Sequence, residues 1–441
     1  MSSKVTVVGA GLAGSECALQ LARRGIHVRL IEQRPCHPSP AHHTDGFAEL
    51  VCSNSLKSTK PDSAAGLLKR ELDGMGSYLL GFARQCAVPA GGALAVDRER
   101  FSAMVTTSVC SNPLIDVVRQ EALEIPEDPC VIAAGPLCSE ALFSAVESAV
   151  GEGHMSFFDA AAPIVSAESI DRTIAFSQSR YEEGIGDYLN CPMNREEYEA
   201  FIDGLLGASR VIGRDFEQKD LFCACQPVEE VARTGRDAIR FGALKPVGLT
   251  DPRTGHRPWA AVQLRAETAD ALAYNLVGFQ TNLTWPEQRR VFRMIPGLED
   301  AEFLRYGVMH RNSFVDSPHV LDKTFKIPGS QARLAGQICG TEGYVEAIAS
   351  GLLAALNTYA DLSGFEPVEL PKTSSFGALI SYATDPATKD YQPMHVNFGI
   401  VPPLETHVRD KVRRRAELAA RAERDFDAYL ASRPELFAVS E

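Results

Sequence analysis

The chain opens with Lys4-Val-Thr-Val-Val-Gly-Ala-Gly-Leu-Ala-Gly14, in which a short apolar run ends in three glycines. An apolar-periodic segment follows as far as Gly25, so the pattern predicts a strand, a tight turn and a helix. In such a unit Gly9 permits the turn, Gly11 lets the backbone approach a pyrophosphate, and Gly14 lets the helix pack on the strand. The helix N-terminus would offer its N–H groups and the positive end of its dipole to the phosphates.

Glu32 completes this fingerprint, because a second predicted strand at residues 26–31 places it about twenty residues after the glycines. A carboxylate at this point accepts hydrogen bonds from a ribose, and it would repel a ribose 2′-phosphate. The glycines alone would also fit an ordinary tight turn. With the strands, the helix and the acid in register, the sequence predicts dinucleotide binding.

The composition limits the class of protein. The chain has 441 residues, 45% hydrophobic and 23% charged, which suits a globular protein of two or three domains. A strand is predicted within the first four residues, so no signal peptide is expected, and no apolar run reaches membrane-spanning length. Eleven cysteines without metal-type pairs of spacing indicate reduced thiols in the cytoplasm. Cys223-Ala-Cys225 lacks a second pair, so no metal site is predicted.

The formal net charge of −13 would repel a polyanion such as RNA at long range. Any RNA binding must therefore come from a local basic patch. One candidate is the start of a predicted helix at residues 406–430, whose basic side chains belong to Arg409, Lys411, Arg413, Arg414 and Arg415. Such a charge run is more often a solvated helix face, and the sequence leaves both interpretations open.

A second junction of strand, glycines and helix lies three hundred residues later. It reads Arg333-Leu-Ala-Gly336-Gln-Ile-Cys-Gly340-Thr-Glu-Gly343-Tyr344 and continues as an apolar helix to Asn357. One long cofactor that spans both junctions is predicted, and FAD fits better than NAD. Gly336, Gly343 and Tyr344 are therefore expected to contact FAD. The second helix N-terminus would stabilise negative charge on a reduced flavin.

The predicted fold class is α/β, with a Rossmann-like FAD-binding domain of the glutathione-reductase-like type. This domain is expected to be discontinuous and to comprise residues 1–150 and 300–441, with a helix start near Ser63 and a helix N-cap at Asp97. Residues 151–299 show short strands and few long helical periods, so an inserted α+β substrate domain is expected there.

Several longer motifs resemble those of the folate- and flavin-dependent tRNA (uracil-5-)-methyltransferase family, the TrmFO proteins. They are Ala41-His-His-Thr-Asp45, Phe47-Ala-Glu-Leu-Val-Cys-Ser-Asn-Ser-Leu-Lys57, Val88-Pro-Ala-Gly-Gly-Ala-Leu-Ala-Val-Asp97, Arg240-Phe-Gly-Ala-Leu-Lys-Pro-Val-Gly-Leu249, His310-Arg-Asn312 and Ala335-Gly-Gln-Ile-Cys-Gly-Thr-Glu-Gly-Tyr-Val-Glu346. The resemblance runs from the N-terminus to at least Asn357. These irregular motifs are far more specific than a glycine triplet.

The resemblance implies a flavoprotein that methylates C5 of a uridine, in the T-loop of tRNA or, as in some relatives, in ribosomal RNA. It implies 5,10-methylenetetrahydrofolate as the carbon donor and NADH or NADPH as the reductant of FAD. Uracil C5 is a poor nucleophile until a thiolate adds at C6, so this chemistry needs a cysteine.

Roles for four side chains also follow from the resemblance. Cys225 matches the expected C6 nucleophile, and Cys52 matches a flavin-side thiol that helps proton removal or protects the nucleophile. The division of roles between the two stays open, and Cys223 departs from the family pattern. His310 and Tyr344 would hold the pterin ring of folate over the flavin. Without the resemblance, each cysteine would more often be a buried, inert thiol.

Two other functions fit part of the same pattern. A flavin-dependent oxidoreductase that acts on a small molecule would need no cationic face, and it would tolerate replacement of Cys225. An RNA-binding flavoprotein that assists folding or assembly would retain RNA without incorporating a methyl group.

Overall fold

The computed structural model describes residues 4–37, 39, 41–151, 154–160, 162–180, 186–211, 226–307, 309–388 and 391–437, with the backbone alone at 154–160 and 309–312. The strands in these ranges are β1 (Lys4–Val8), β2 (His27–Glu32), β3 (Ser55–Ser58), β4 (Ala87–Val88), β5 (Ala93–Val96), β6 (Ile115–Arg119), β7 (Cys130–Ile132), β8 (His154–Ala160), β9 (Ile164–Ser166), β10 (Phe176–Ser177), β11 (Tyr188–Met193), β12 (Ala260–Ala266), β13 (Ala273–Leu276), β14 (Phe303–Arg305), β15 (Met309–Val315) and β16 (Ala332–Leu334). The helices are α1 (Leu12–Arg23), α2 (Ala64–Gly74), α3 (Tyr78–Gln85), α4 (Arg98–Cys110), α5 (Glu140–Val150), α6 (Arg195–Leu206), α7 (Val228–Thr234), α8 (Ala238–Phe241), α9 (Trp285–Phe292), α10 (Ser317–Val320), α11 (Tyr344–Ser363), α12 (Ser375–Thr384), α13 (Lys411–Ser432) and α14 (Pro434–Phe437).

A parallel five-stranded sheet carries the first glycine segment, with its strands in the order β16-β7-β1-β2-β6. Val5, Val7 and Val8 of the central strand are buried, as expected when helices cover both faces of a parallel sheet. α1 follows β1 directly, which confirms the predicted strand, turn and helix. The mixed helices and parallel sheet confirm the predicted α/β class.

Both ends of the chain meet where α1 packs against α11. Gly351 makes this close approach possible, because a Cβ atom at that position would lie 2.0 Å from the carbonyl oxygen of Ala13. The helix that begins at Tyr344 is therefore held directly beside the helix that follows the first glycines.

A second sheet is antiparallel and has six strands in the order β10-β11-β12-β13-β9-β14. It has its own apolar core, which includes Phe201, Val262 and Phe292. β8 and β15 pair with each other as a separate antiparallel ribbon. In the sequence, they come just before and just after the strands of this sheet. The division of the chain at residues 150 and 300 stays a prediction.

The predicted helix start near Ser63 and the predicted cap at Asp97 are confirmed, and both side chains cap their helices. The Ser63 hydroxyl accepts from the N–H of Gly66, and the Asp97 carboxylate accepts from the N–H of Arg100, each at 3.1 Å. Across the described ranges, no helix combines the length and the apolar character that a bilayer crossing requires.

Candidate functional site

A cleft of about 360 Å³ opens at the carboxyl ends of β1, β2 and β7. Both glycine segments contribute to its walls. The predicted site residues that line it are Gly9, Gly11, Glu32, Cys52, Gly336, Gly343 and Tyr344. Residues from the two ends of the chain therefore face one connected space, and their individual roles stay predictions.

The three glycines of the first segment serve different needs. A Cβ atom on Gly14 would lie 1.8 Å from the carbonyl oxygen of Gly9, so close packing of α1 requires glycine there. Gly11 has an ordinary φ of −72°, and no protein atom lies within 4 Å of the position of its missing Cβ atom. Among the described residues no side chain caps this helix start. The open space in front of its N–H groups fits the pyrophosphate of FAD.

Glu32 supplies a fixed negative charge at the cleft wall. Its carboxylate accepts from the N–H of Ala10 at 2.8 Å and from Nε of Arg34 at 3.0 Å. Burial disfavours the ionised carboxyl, but the Arg34 guanidinium and these N–H donors together hold the pKa of Glu32 below its ordinary value. An ionised, oriented carboxylate with free lone pairs suits the hydroxyl groups of a ribose.

His42 lines the cleft as well, although no site role was predicted for it. Its Nδ1 lies 2.5 Å from the hydroxyl oxygen of Ser39. Burial, with repulsion from the nearby Arg34, lowers the pKa of His42 to about 4. The ring is therefore neutral at pH 7, when its free nitrogen can act as donor or acceptor toward a ligand.

This histidine predicts a specific acid sensitivity. Because its folded pKa of about 4 lies below the ordinary 6.5, the unfolded state binds the extra proton. The contribution to stability is complete above pH 6.5 and is lost as the pH falls toward 4. Between pH 7 and pH 4.5, the free energy of unfolding should therefore fall by roughly 2 kcal/mol less in His42→Gln than in the wild type. Urea unfolding at both values measures it, with exposed His256→Gln as the control. Equal pH dependence in both variants would contradict the assignment.

The Tyr344 side chain is hydrogen-bonded to the backbone at Cys52. The Tyr344 hydroxyl accepts from the N–H of Cys52 at 2.8 Å and from the N–H of Ser53 at 3.1 Å. Burial, together with the neighbouring Cys52, raises the pKa of Tyr344, so the phenol stays protonated. The first residue of α11 thus fixes the segment that carries the thiol, in addition to the predicted contact with flavin or pterin.

Three arginines hold the same segment from its other side. Arg98 Nη1 donates to the carbonyl oxygen of Leu50 at 2.6 Å, and Arg305 Nη2 donates to that of Val51 at 2.6 Å. The remaining guanidinium belongs to Arg265, whose Nε donates to Asn54 Oδ1 at 2.7 Å.

Only one carboxylate pairs with these arginines in the described residues, that of Glu267, whose Oε2 lies 2.5 Å from Arg98 Nε. Burial, with repulsion from Arg98, lowers the pKa of Arg305. Two of these arginines, Arg265 and Arg305, lie on the antiparallel sheet, so that sheet directly positions the Cys52 segment.

A further ion pair organises the start of α11. Lys57 Nζ lies 3.0 Å from Oε1 of the fully buried Glu346, which also accepts from the N–H of Val396 at 3.2 Å. Gly343 beside this pair has a φ of +116°, which other residues adopt only with strain, and a Cβ atom there would lie 2.3 Å from Glu346 Oε2. Lys57 and His395 both line the cleft, and the sequence singled out neither.

The predicted nucleophile Cys225 and its neighbour Cys223 lie outside the described residues, as does the side chain of His310. The chain on either side of the Cys225 segment is described. The N–H of Val211 donates to the carbonyl oxygen of Asn282 at 2.8 Å, and the N–H of Val228 donates to that of Gln280 at 2.7 Å. Gln280 lines the cleft, so both flanks of this segment are fastened to a stretch that reaches it.

The basic residues of the tail lie away from the cleft walls and are all exposed: Arg409, Lys411, Arg413, Arg414 and Arg415. Arg413 is paired with Glu417, with 2.7 Å between Nε and Oε1. The others surround the N-terminus of α13, where positive side chains oppose the helix dipole. No cluster of possible metal ligands occurs in the described part of the chain.

Comparisons with known proteins give a consistent result. A family model described as GIDA, glucose inhibited division protein A, matches residues 4–366. The Geobacter sulfurreducens protein named methylenetetrahydrofolate–tRNA-(uracil-5-)-methyltransferase TrmFO is 52% identical over 435 residues, which cover 98% of this chain and 100% of that protein. The Acetivibrio thermocellus protein of the same name is 51% identical over 424 residues, or 96% and 97% of the two chains.

Among solved structures, a crystal form of Aquifex aeolicus GidA superposes with a TM-score of 0.70. It is 17% identical in sequence, and the alignment covers 100% of this chain and 78% of that chain. At this level of identity the match shows a shared fold.

Proposed function

Since the chain belongs to the TrmFO family, within the broader GIDA family, we propose that it methylates C5 of a tRNA uridine with 5,10-methylenetetrahydrofolate as carbon donor. The observation that carries the proposal is the single cleft in which both glycine segments, Cys52 and Tyr344 meet. A small-molecule flavoenzyme would need the glycines, but it would not need a thiol segment held by α4, α11 and the antiparallel sheet.

FAD is the cofactor that fits this cleft, and when bound it supplies the redox chemistry that converts the transferred carbon into a methyl group. We propose Gly11 and the N-terminus of α1 for its pyrophosphate, Glu32 for its ribose, and Gly336, Gly343 and Tyr344 for its ring. NADH or NADPH is proposed as the reductant. Tyr344 and His310 are proposed to hold the folate pterin.

The chain's own residues would organise the nucleotide chemistry. Cys225 is proposed to add to C6 of the uracil, with Cys52 in proton removal or in protection of that thiol. Tyr344, Arg98 and Arg305 hold the backbone on either side of Cys52, so the position of this segment is fixed before substrate binds. The eleven cysteines suit a reducing cytoplasm, which we propose as the location.

The decisive measurement is transfer of labelled carbon from methylenetetrahydrofolate to unmodified tRNA in the presence of FAD and NADPH. Label should appear in 5-methyluridine of the T-loop after digestion. Ribosomal RNA serves as the second substrate, because methylation of rRNA alone would redirect the same chemistry. Flavin reduction without label in either RNA would favour the small-molecule oxidoreductase.

The basic start of α13 is proposed to contact RNA phosphates. Charges that oppose the helix dipole cost stability, so an external anion is a physical reason for their presence. Arg413, Arg414 and Arg415 changed together to Ala should weaken tRNA binding and reduce the slope of log K against log salt by about 2 to 3. Filter binding from 50 to 200 mM salt measures the slope. An unchanged slope would indicate that these residues form only a solvated helix face and do not contact RNA.

A further inference from the structure

A ladder of aromatic rings lies at the junction of α9 and β14. Trp285 stacks on Tyr306 with ring centroids 5.4 Å apart and an angle of 14° between the planes. Tyr306 in turn stacks on Phe303, at 5.3 Å and 13°. The inner end of the ladder joins the apolar core of the antiparallel sheet through Phe303, which contacts Phe292. The stack is therefore anchored from within and ends at Trp285.

The outer end of the ladder is open to solvent. Trp285 is 58% exposed although Tyr306 covers one face of its indole, so the opposite face is uncovered. An anchored aromatic ring with one bare face loses little conformational freedom when a second flat ring is laid on it.

The charge around this surface favours an anionic partner. Arg289 is exposed, and its Nη2 donates to the Tyr306 hydroxyl at 2.6 Å, with the guanidinium 5.9 Å from that ring. No carboxylate lies within 4 Å of Arg289 in the described ranges, so its charge is available.

Neighbouring residues connect the ladder to segments around the proposed reaction centre. Residues 280–284, which fasten both flanks of the Cys225 segment, lead directly into Trp285. Arg305 stands between Leu304 and Tyr306 and donates to the Val51 carbonyl oxygen, one residue before Cys52. The open indole is thus linked through Arg305 to the Cys52 segment and through residues 280–284 to the flanks of the Cys225 segment.

From these four observations we propose that Trp285 stacks an unpaired base of the substrate RNA beside the target uridine, with Arg289 on an adjoining phosphate. This rests on the proposed function, and it names the surface by which the enzyme holds a single-stranded loop. Stacking on aromatic side chains is tolerant of base identity and is worth about 1–3 kcal/mol per base. A loop with splayed bases offers such a ring, whereas a base-paired stem does not.

The test compares Trp285→Ala with Trp285→Phe and with Phe365→Ala as a matched control. Phe365 is also exposed and packs on Tyr359, but it follows the far end of α11, about 30 Å from Tyr344. Trp285→Ala should raise the Kd and KM for unmodified tRNA about tenfold or more, with flavin content and NADPH-dependent flavin reduction unchanged. Trp285→Phe should recover most of the affinity. Equal Kd values for Trp285→Ala and the wild type would overturn the proposal.

Fluorescence gives a second readout, because Trp259 and Trp285 are the only tryptophans in the sequence. In a Trp259→Phe background, tRNA should quench Trp285 emission, and an isolated T-arm with its loop should quench it more than a stem duplex. Quenching by the duplex alone would indicate contact with phosphates only. A change in Trp285 emission on dilution of the protein without RNA would indicate contact with a second copy. Either result would refute stacking. Label transfer by the wild type separates these results from failure of the proposed function.

Discussion

Replacement of Cys225 by alanine is expected to reduce carbon transfer to tRNA by at least about 10³-fold. A nucleophile that activates C5 through C6 cannot be replaced by water at the same position, and loss of such a residue removes the low-energy route altogether. FAD content and NADPH-dependent flavin reduction should stay at wild-type values. The measurement is label incorporation under single-turnover conditions, together with the flavin spectrum.

The division of roles between the two thiols needs a separate readout. RNA that carries 5-fluorouridine at the target should form a covalent adduct through the C6 nucleophile, because fluorine cannot leave as a proton does. We expect an adduct with Cys52→Ala, whose product yield is low, and none with Cys225→Ala. An adduct that persists in Cys225→Ala and disappears in Cys52→Ala would exchange the two assignments.

Cys223→Ala is the matched control, since its thiol stands only two residues from Cys225. It should keep both the adduct and the activity. Loss of activity in Cys223→Ala that equals the loss in Cys225→Ala would mean that the two thiols act as a pair.

Local sequence patterns predicted the parts of the fold that depend on neighbouring residues. The glycine fingerprint, the helix start near Ser63, the cap at Asp97 and the strand that delivers Glu32 each depend on a few successive positions. The second glycine segment is equally local. The prediction that both segments share one ligand concerned residues far apart in the sequence. In the structure, both segments line the same cleft.

The support around Cys52 could not be predicted in this way. Arg265 and Arg305 reach residues 51–54 from more than two hundred positions away, and an arginine in an antiparallel strand is an ordinary feature of a sequence. His42 and Lys57 lie inside recognised motifs, but their environments depend on Arg34 and Glu346, which approach only in the folded chain. Such contacts are set by how distant segments pack in the folded chain, for which a single sequence carries no periodic signal.

Two substitutions in the first glycine segment should have large effects of different kinds: one should weaken FAD binding, and the other should destabilise the fold. In Gly11→Ala the new methyl group meets no protein atom, so the cost to folding should be no more than about 1 kcal/mol, the usual effect at a helix cap. The methyl group would fill the space that a pyrophosphate needs, and the affinity for FAD should fall by about 100-fold or more. Equilibrium dialysis and urea unfolding of the flavin-free protein measure the two quantities.

Gly14→Ala should instead lose the fold, because its methyl group would meet the Gly9 carbonyl oxygen at 1.8 Å and force α1 away from β1, at a cost above about 3 kcal/mol. Gly81→Ala is the control: it lies within α3, its Cβ atom would meet nothing within 4 Å, and it should gain about 0.5–1 kcal/mol of stability with unchanged flavin affinity. A Gly11→Ala protein that binds FAD as tightly as Gly81→Ala would mean that phosphate is held elsewhere. The N-terminus of α1 would then have no ligand role, and the cleft would have to hold its cofactor from the α11 side alone.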